Sequence, residues 1–296
     1  MTRAQEAIIK DLQDGIDSFP DALARGTLRT QREAFDRIVD ALSRFDLTPD
    51  GGIATTAANF GQIETLVNEL KAAYLSPRYR DFLQDYLGGF DIMAELTTKL
   101  FDAYGIAPDL NTAVNAILAN AKVNATRLLT TGAVETALPS FREILNNAVA
   151  RSERFTDVIK NVRQNIEGSE DFQARMERYA KQNAKDIFAV GHAQYMTAVG
   201  ESLGFEFYEY AGVKTTDSRS FCTARKGKTY HKQEIRQWAN LDWDGRNRAT
   251  TPDTIFSLRG GYNCNHLLVP IATELVADDV LQRAIRKGYY TPPDED

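Results

Sequence analysis

The sequence predicts an α+β protein: a long, mainly α-helical N-terminal region, residues 1–203, then a small α+β C-terminal domain, 204–275, then a short helix and polar tail, 276–296. Three observations carry this reading. From Thr2 to about Leu203 apolar residues recur every three or four positions, the spacing of one helix face. At Gly204 that period gives way to alternation, with Phe205, Phe207 and Glu209 on one side and Glu206, Tyr208 and Tyr210 on the other, an aromatic-rich strand bounded by Gly204 and Gly212. The length, 296 residues, is roughly twice that of a common domain, so two units are expected. Apolar residues at 43% and charged residues at 26% are the balance of a folded globular chain, too apolar for a disordered one.

The helices follow in order. Phe35, Ile38, Val39, Leu42 and Phe45 stripe one face of the segment Arg29 to Phe45, which stops before Pro49-Asp50-Gly51-Gly52. Further helices are predicted from Asn59 to Leu75, from Pro77 to Tyr104 with a weak point at Gly88-Gly89, and from Leu110 to Thr130. Pro77 suits a first-turn position, where its missing N–H costs nothing. Phe141, Ile144, Leu145 and Ala148 mark another helix, and Phe155, Val158, Ile159 and Val162 one more, ending near Gly168. The last of the series begins after the acidic Ser169-Glu170-Asp171, suited to a helix N-terminus, and runs to Leu203. At about 1.5 Å per residue it reaches roughly 45 Å, a length suited to contacts with other proteins rather than to an enzyme pocket.

Within the C-terminal domain, a second strand is predicted at Leu267-Leu268-Val269 before Pro270, and a short helix from His231 to Ala239 with Thr229 as its cap. Asp278 to Lys287 forms a final helix, and Gly260-Gly261 lets the backbone turn sharply into the second strand.

The N-terminus lacks the continuous apolar stretch of a signal peptide, and no segment approaches the roughly 20 apolar residues that span a bilayer. A cytosol-like compartment is expected, with thiols reduced and no membrane partner. The net charge of −6 argues against a general polyanion binder. The charge is uneven, however: from Lys214 to Arg248 nine Lys/Arg stand against four Asp/Glu. Arg225, Lys226, Lys228 and Lys232 are its candidates for contact with nucleic acid or an acidic partner.

The rare residues cluster. Both cysteines (Cys222, Cys264), both tryptophans (Trp238, Trp243) and two of the three histidines (His231, His266) fall between positions 222 and 266. Cys222, His231, Cys264 and His266 offer two thiolates and two imidazoles, a donor set that zinc binds when four side chains converge. Cys264-x-His266 puts both donors on one side of a strand or turn, whereas Cys222 and His231, separated by eight residues, need a hairpin-like return. The other reading makes the cysteines small buried hydrophobes and the histidines surface residues. Two catalytic arrangements are conceivable: a thiol nucleophile, Cys264, with His266 or His231 as base, or a nuclease using His231, Arg219 and Lys228. No phosphate-binding loop, zinc-protease helix or dinucleotide fingerprint is present, so no cofactor other than zinc is suggested. Asp217 and Arg219 are expected to pair and fix the loop after the first strand, the tryptophans to pack the small core, and His192 to be a packing or surface residue of the long helix.

The stretch GFEFYEYAGVKTTDSRSFCTARKGKTYHKQEIRQW, followed by GGYNCNHLLVPI, resembles the C-terminal domain of the phage head-morphogenesis family, the Mu F-like minor head proteins of tailed bacteriophages. The residues that carry the likeness are Tyr210-Ala211-Gly212 closing the aromatic strand, Asp217-x-Arg219 leading to Cys222, the turn Gly227 to Tyr230, the glycines Gly260 and Gly261, and Asn263-Cys264-x-His266 before a Pro-terminated strand. It covers about 70 residues at the level of motifs, and the rest only in architecture. Many relatives carry a second cysteine where this chain has Arg225, and a Cys-x-Cys where it has Cys264-x-His266. The resemblance implies a minor structural protein of the phage head, present in the host cytoplasm during assembly and then in the virion. The implied partners are the portal protein, the major capsid or scaffolding protein and packaged double-stranded DNA, with a part in head morphogenesis and genome delivery. The alternatives are a toxin-like nuclease or transferase carried on the C-terminal domain, and a zinc-stabilised binding module.

Overall fold

The computed structural model describes residues 2–108, 112–169, 172–173, 175–212, 218–262 and 264–292. The fold class is the predicted one, helices through the first two thirds and a small antiparallel sheet near the C-terminus. The chain forms two compact units. One comprises Met1–Ser18, Gly88–Val123 and Lys185–Asp296; the other comprises Phe19–Leu87 and Asn124–Ala184. No helix among the described residues is long and apolar enough to cross a membrane.

The helices are α1 (Arg3–Leu42), α2 (Ala57–Ala73), α3 (Pro77–Asp102), α4 (Thr112–Arg127), α5 (Ala133–Ala150), α6 (Phe155–Ile166) and α7 (Arg175–Ser202). The stripe read from Arg29 to Phe45 is the second half of α1, which begins much earlier and carries Pro20 in its interior. Thr56 caps α2, its hydroxyl accepting from the Asn59 N–H. The two helices predicted between 110 and 150 are joined without a break by a π-helical turn, Leu128–Gly132. Such a turn is wide and frees a carbonyl. Here the buried Tyr79 hydroxyl donates to the Leu129 carbonyl at 2.6 Å. The apolar face of α5 (Phe141, Leu145, Ala148, Val149) packs with Val158, Val162 and Ile166 of α6 and with Ile63, Leu66, Val67 and Leu70 of α2, the core of the second unit.

The start of the last long helix differs from the sequence reading. Gly168–Ser169 (β1) and Phe172–Gln173 (β2) pair as a two-stranded antiparallel ladder, and α7 begins only at Arg175. Gly168, at φ +81°, ends the preceding helix in a conformation that favours glycine, so the helix cannot simply restart at Ser169.

The C-terminal sheet has the order β4-β3-β5, with β3 (Phe207–Ala211) between β4 (Thr229–His231) and β5 (Leu267–Ile271), both antiparallel to it. The first strand thus starts two residues later than the alternation suggested. Pro270 does not end β5: it lies on an edge strand, opposite Tyr208, where a missing N–H leaves no ladder bond unmade within the sheet. The alternation of β3 separates two cores. Tyr208 and Tyr210 pack with Phe221, Trp238, Phe256 and Leu268, while Phe207 packs with Ile271, Val276, Val280 and Ala284. The short helices are α8 (Ser220–Arg225), α9 (Lys232–Gln237), α10 (Ile255–Leu258) and α11 (Asp278–Arg286). The tryptophans pack as expected, Trp238 buried and Trp243 half-buried against the same core.

The cap of α9 is His231, not Thr229. Thr229 is taken up by β4, and the His231 imidazole accepts from the Gln233 N–H while the Glu234 carboxylate returns to the His231 N–H, a reciprocal capping box. Glu234 also anchors the C-terminal helix, receiving Lys287 Nζ at 2.7 Å and Arg283 Nη2 at 3.3 Å. Burial alone would raise the Glu234 carboxyl, but the Lys287 hydrogen bond and the two cations hold it below its ordinary value. A carboxyl whose pKa is depressed on folding stabilises the fold fully above its unfolded value, about 4.3, and loses that contribution as pH falls through the lower folded one. We expect the protection factors of the α11 amides, exchange rates taken relative to the intrinsic rate at each pH, to fall on acidification from pH 5 to pH 3, and Glu234→Gln to show low protection already at pH 7. Equal protection in variant and wild type at pH 7 would refute the anchoring role.

Candidate metal centre

Three segments build the centre. Tyr210 stands on the inner face of β3, Cys222 on the first turn of α8, and Cys264 and His266 on the segment leading into β5. The ligand atoms of Cys222, Cys264 and His266 all lie within 4.8 Å of one another, and all three residues are buried. The two sulfurs are 4.0 Å apart, Cys264 Sγ faces His266 Nδ1 at 3.7 Å, and the His266 ring stacks on Tyr210. The Tyr210 hydroxyl donates to Cys222 Sγ at 3.2 Å and lies 3.7 Å from Cys264 Sγ.

The surrounding loop is shaped by glycines. A Cβ on Gly260 would fall 2.3 Å from Cys264 Sγ and 2.8 Å from Cys222 Sγ, so both thiols rest on a backbone without a side chain. Gly261 adopts φ +88° and passes against the Gly245 carbonyl, which accepts from the Tyr262 N–H at 3.1 Å. Arg219 clamps the same turn, donating to the carbonyls of Gly260 (3.2 Å) and Tyr262 (2.8 Å), and the Trp243 indole N–H adds a bond to Gly260 O. From α1, Asp17 accepts both contacts of the Asn265 amide at 2.9 and 3.1 Å, and the Gln13 amide donates to Asn265 O. The N-terminal turns of the chain therefore help to hold the Cys264–His266 segment.

The Arg259 guanidinium is wholly buried, donates to the carbonyls of His266 and Ser257, and has no carboxylate partner among the described residues. Of the two thiols, Cys264 releases its proton the more readily. The hydrogen bond from Cys222 contributes most, and His266 and the Arg259 charge add to it against the cost of burying an anion. Cys222, as donor of that bond and itself buried, is pushed upward. An arrangement of two thiols, one poised to ionise, and a buried imidazole can hold a soft or borderline cation. The donors fit such an ion, and His266 Nε2 is buried with no hydrogen-bond partner among the described residues.

The other predicted residues have different places. His231 is not part of this group: its ring lies edge-on to Phe207 and stacked on Tyr289, with Nε2 4.0 Å from Glu206, and burial leads in holding it below its ordinary pKa. Its neutral Nδ1 is already engaged as the α9 cap. Both His231 and His266 are buried, contrary to the reading of these histidines as surface residues. Arg219 binds the Gly260–Tyr262 turn; Asp217, its expected partner, and Asn263 lie outside the described residues. Of the basic candidates, Arg225 lies over the Phe221 and Trp238 rings and Lys232 pairs with Glu206, which leaves Lys226 and Lys228 exposed. His192 is buried, its Nε2 3.1 Å from Thr97 Oγ1, and burial pushes its pKa down to about 3.

Sequence reasoning missed Tyr210 and Arg259 as members of the centre. Tyr210 was legible, because strand alternation puts it on the same face as Tyr208; nothing local distinguishes Arg259 from any basic loop residue. Compared with known proteins, the chain matches no family model, no curated protein and no solved structure.

Proposed function

We propose that the chain is a minor structural protein of a tailed-phage head, acting with the portal and the packaged DNA during head morphogenesis. One observation supports this reading above the others: the residues that carry the resemblance to Mu F-like minor head proteins, scattered over more than 50 positions of sequence, gather about one centre. Tyr210 contacts Cys222, Cys264 and His266, Gly260 lies against both sulfurs, Arg219 grips the adjoining turn, and the Gly227 N–H bonds the Tyr210 carbonyl. A set of motif residues that packs as one unit is what a shared domain requires. The helical remainder offers surface for portal or capsid subunits, and the exposed Lys226 and Lys228 offer local positive charge toward DNA phosphates.

The test is direct. DNA-filled heads purified from the producing host are washed in high salt and their proteins identified by mass spectrometry, and the purified chain is mixed with the portal protein of the same genome. Retention in the heads at low copy number and a stable complex with the portal support the reading. Absence from the heads together with no portal complex refutes it.

The buried Cys222, Cys264 and His266 group favours a second reading, a zinc-stabilised module within the same domain. Cys222, Cys264 and His266 would hold the ion, which would tie α8 to the start of β5; its chemistry there is structural cross-linking. Metal analysis of protein purified without chelator is expected to give about one zinc per chain, lost in the Cys222→Ser/Cys264→Ser double variant. A folded wild-type protein without zinc, unable to take it up, removes this reading and leaves the first untouched.

A further inference from the structure

We propose that Cys222 and Cys264 form a cross-link site, an intramolecular disulfide that closes under oxidising conditions and ties α8 to the start of β5. The inference does not rest on the head-protein reading. It stands on the placement of the sulfurs. They are 4.0 Å apart, with no side chain from Gly260 between or beneath them. One hydroxyl, that of Tyr210, contacts both, so both sulfurs point to the same side. A disulfide requires about 2.05 Å between sulfurs, a closure of about 1 Å from each side. The chain has no other cysteine, so no competing partner exists within it.

The reaction needs an oxidant, and a small-molecule disulfide of the glutathione type supplies it. One cysteine thiolate attacks a sulfur of the reagent, forming a mixed disulfide and expelling one reagent thiolate. The second cysteine gives its proton to solvent and attacks the first cysteine's sulfur, and the other reagent thiolate leaves. Both reagent thiolates are protonated. Two protein thiols have then lost two electrons to one reagent disulfide, which has become two thiols. Because Cys222 and Cys264 are 2% and 8% exposed, the first step waits on local opening, whereas the second is intramolecular and fast.

The cross-link and a metal ion compete for the same thiols. Oxidised protein cannot use them as thiolate ligands, and a bound ion withholds them from the oxidant. The enclosed loop, from 222 to 264, contains both tryptophans, so closure is readable from their fluorescence.

The experiment uses the full chain, stripped of metal with a chelator and incubated with oxidised glutathione, beside a sample kept reduced. The expected product is a monomer lighter by two hydrogens, whose unreduced tryptic map joins the Cys222 and Cys264 peptides. Its melting midpoint, followed by tryptophan fluorescence, should rise by about 4 °C or more. Cys222→Ala should instead stop at a glutathione adduct on Cys264. Stable glutathione adducts on both cysteines of the wild type, dimers linked through cysteine, or unlinked thiols that a small maleimide alkylates under the same conditions would each overturn the proposal. A final arm adds zinc before the oxidant. If the disulfide forms at an unchanged rate, the metal reading fails and the cross-link stands.

Discussion

Gly261→Ala is expected to destabilise the C-terminal part of the chain by about 3 kcal/mol or more. Two costs combine. At φ +88° an L side chain carries a backbone penalty of about 1–2 kcal/mol. The added Cβ would also stand 2.0 Å from the Gly245 carbonyl oxygen and 2.8 Å from its carbon, which are backbone atoms and cannot rotate away. Relief requires moving the strap from Gly245 to Arg246, which breaks the Tyr262 N–H bond to Gly245 O and loosens Arg219 from the turn. Gly227→Ala is the internal control. It has a similar dihedral, φ +70°, but nothing within 4 Å of the added carbon, so only the backbone penalty of about 1–2 kcal/mol applies. Both tryptophans lie in this domain, so urea unfolding followed by tryptophan fluorescence reports on it selectively. Equal losses in the two variants would show that the close approach to Gly245 carries no weight.

Phe221→Ala is expected to cost about 3–5 kcal/mol by the same measurement. The ring stacks on Trp243 with centroids 4.1 Å apart, meets Trp238 edge-on at 5.7 Å, and carries the Arg225 guanidinium 3.7 Å above it. Truncation removes one buried aromatic and strands its neighbours around a cavity next to Cys222, so native tryptophan emission should also shift to the red. Phe221→Leu fills much of the volume without a stacking partner and should recover about half of the loss. A loss below about 1 kcal/mol for the alanine variant would mean that the cluster repacks and does not depend on this ring.

The parts of the structure legible in the sequence are those set by short-range periodicity. The stripes in the second half of α1 and in α6 repeat at the helical period, and burial follows them: Phe35, Ile38 and Leu42 are buried, as are Val158 and Val162. The aromatic alternation at 205–210 announced β3, and it correctly sorted Phe207 from Tyr208 and Tyr210 onto opposite faces. What failed were elements too short to have a period. Gly168–Ser169 and Phe172–Gln173 are two residues each, and Thr229–His231 is three. Such strands exist only through a partner; β4 is a strand because β3 lies beside it, in register from Phe207 opposite His231. The sequence offered helix-start chemistry at both places, an acidic run after Ser169 and a threonine before His231, and pairing overrode it.

The centre divides in the same way. Residue types are written in the chain, so it follows from the residues alone that two thiols and two imidazoles share one window, and that the window belongs to an α+β domain after a helical region. Convergence is a property of three-dimensional packing and is set by the fold. Cys222 and Cys264, 42 residues apart, meet over Gly260, while His231, nearer to Cys222 in sequence, faces Phe207 and Tyr289 and caps a helix. Residues 13 and 17, in the first helix, hold the segment between Cys264 and His266. A donor set is specified by chemistry, whereas its assembly depends on contacts between residues as many as 252 positions apart, which no local pattern encodes.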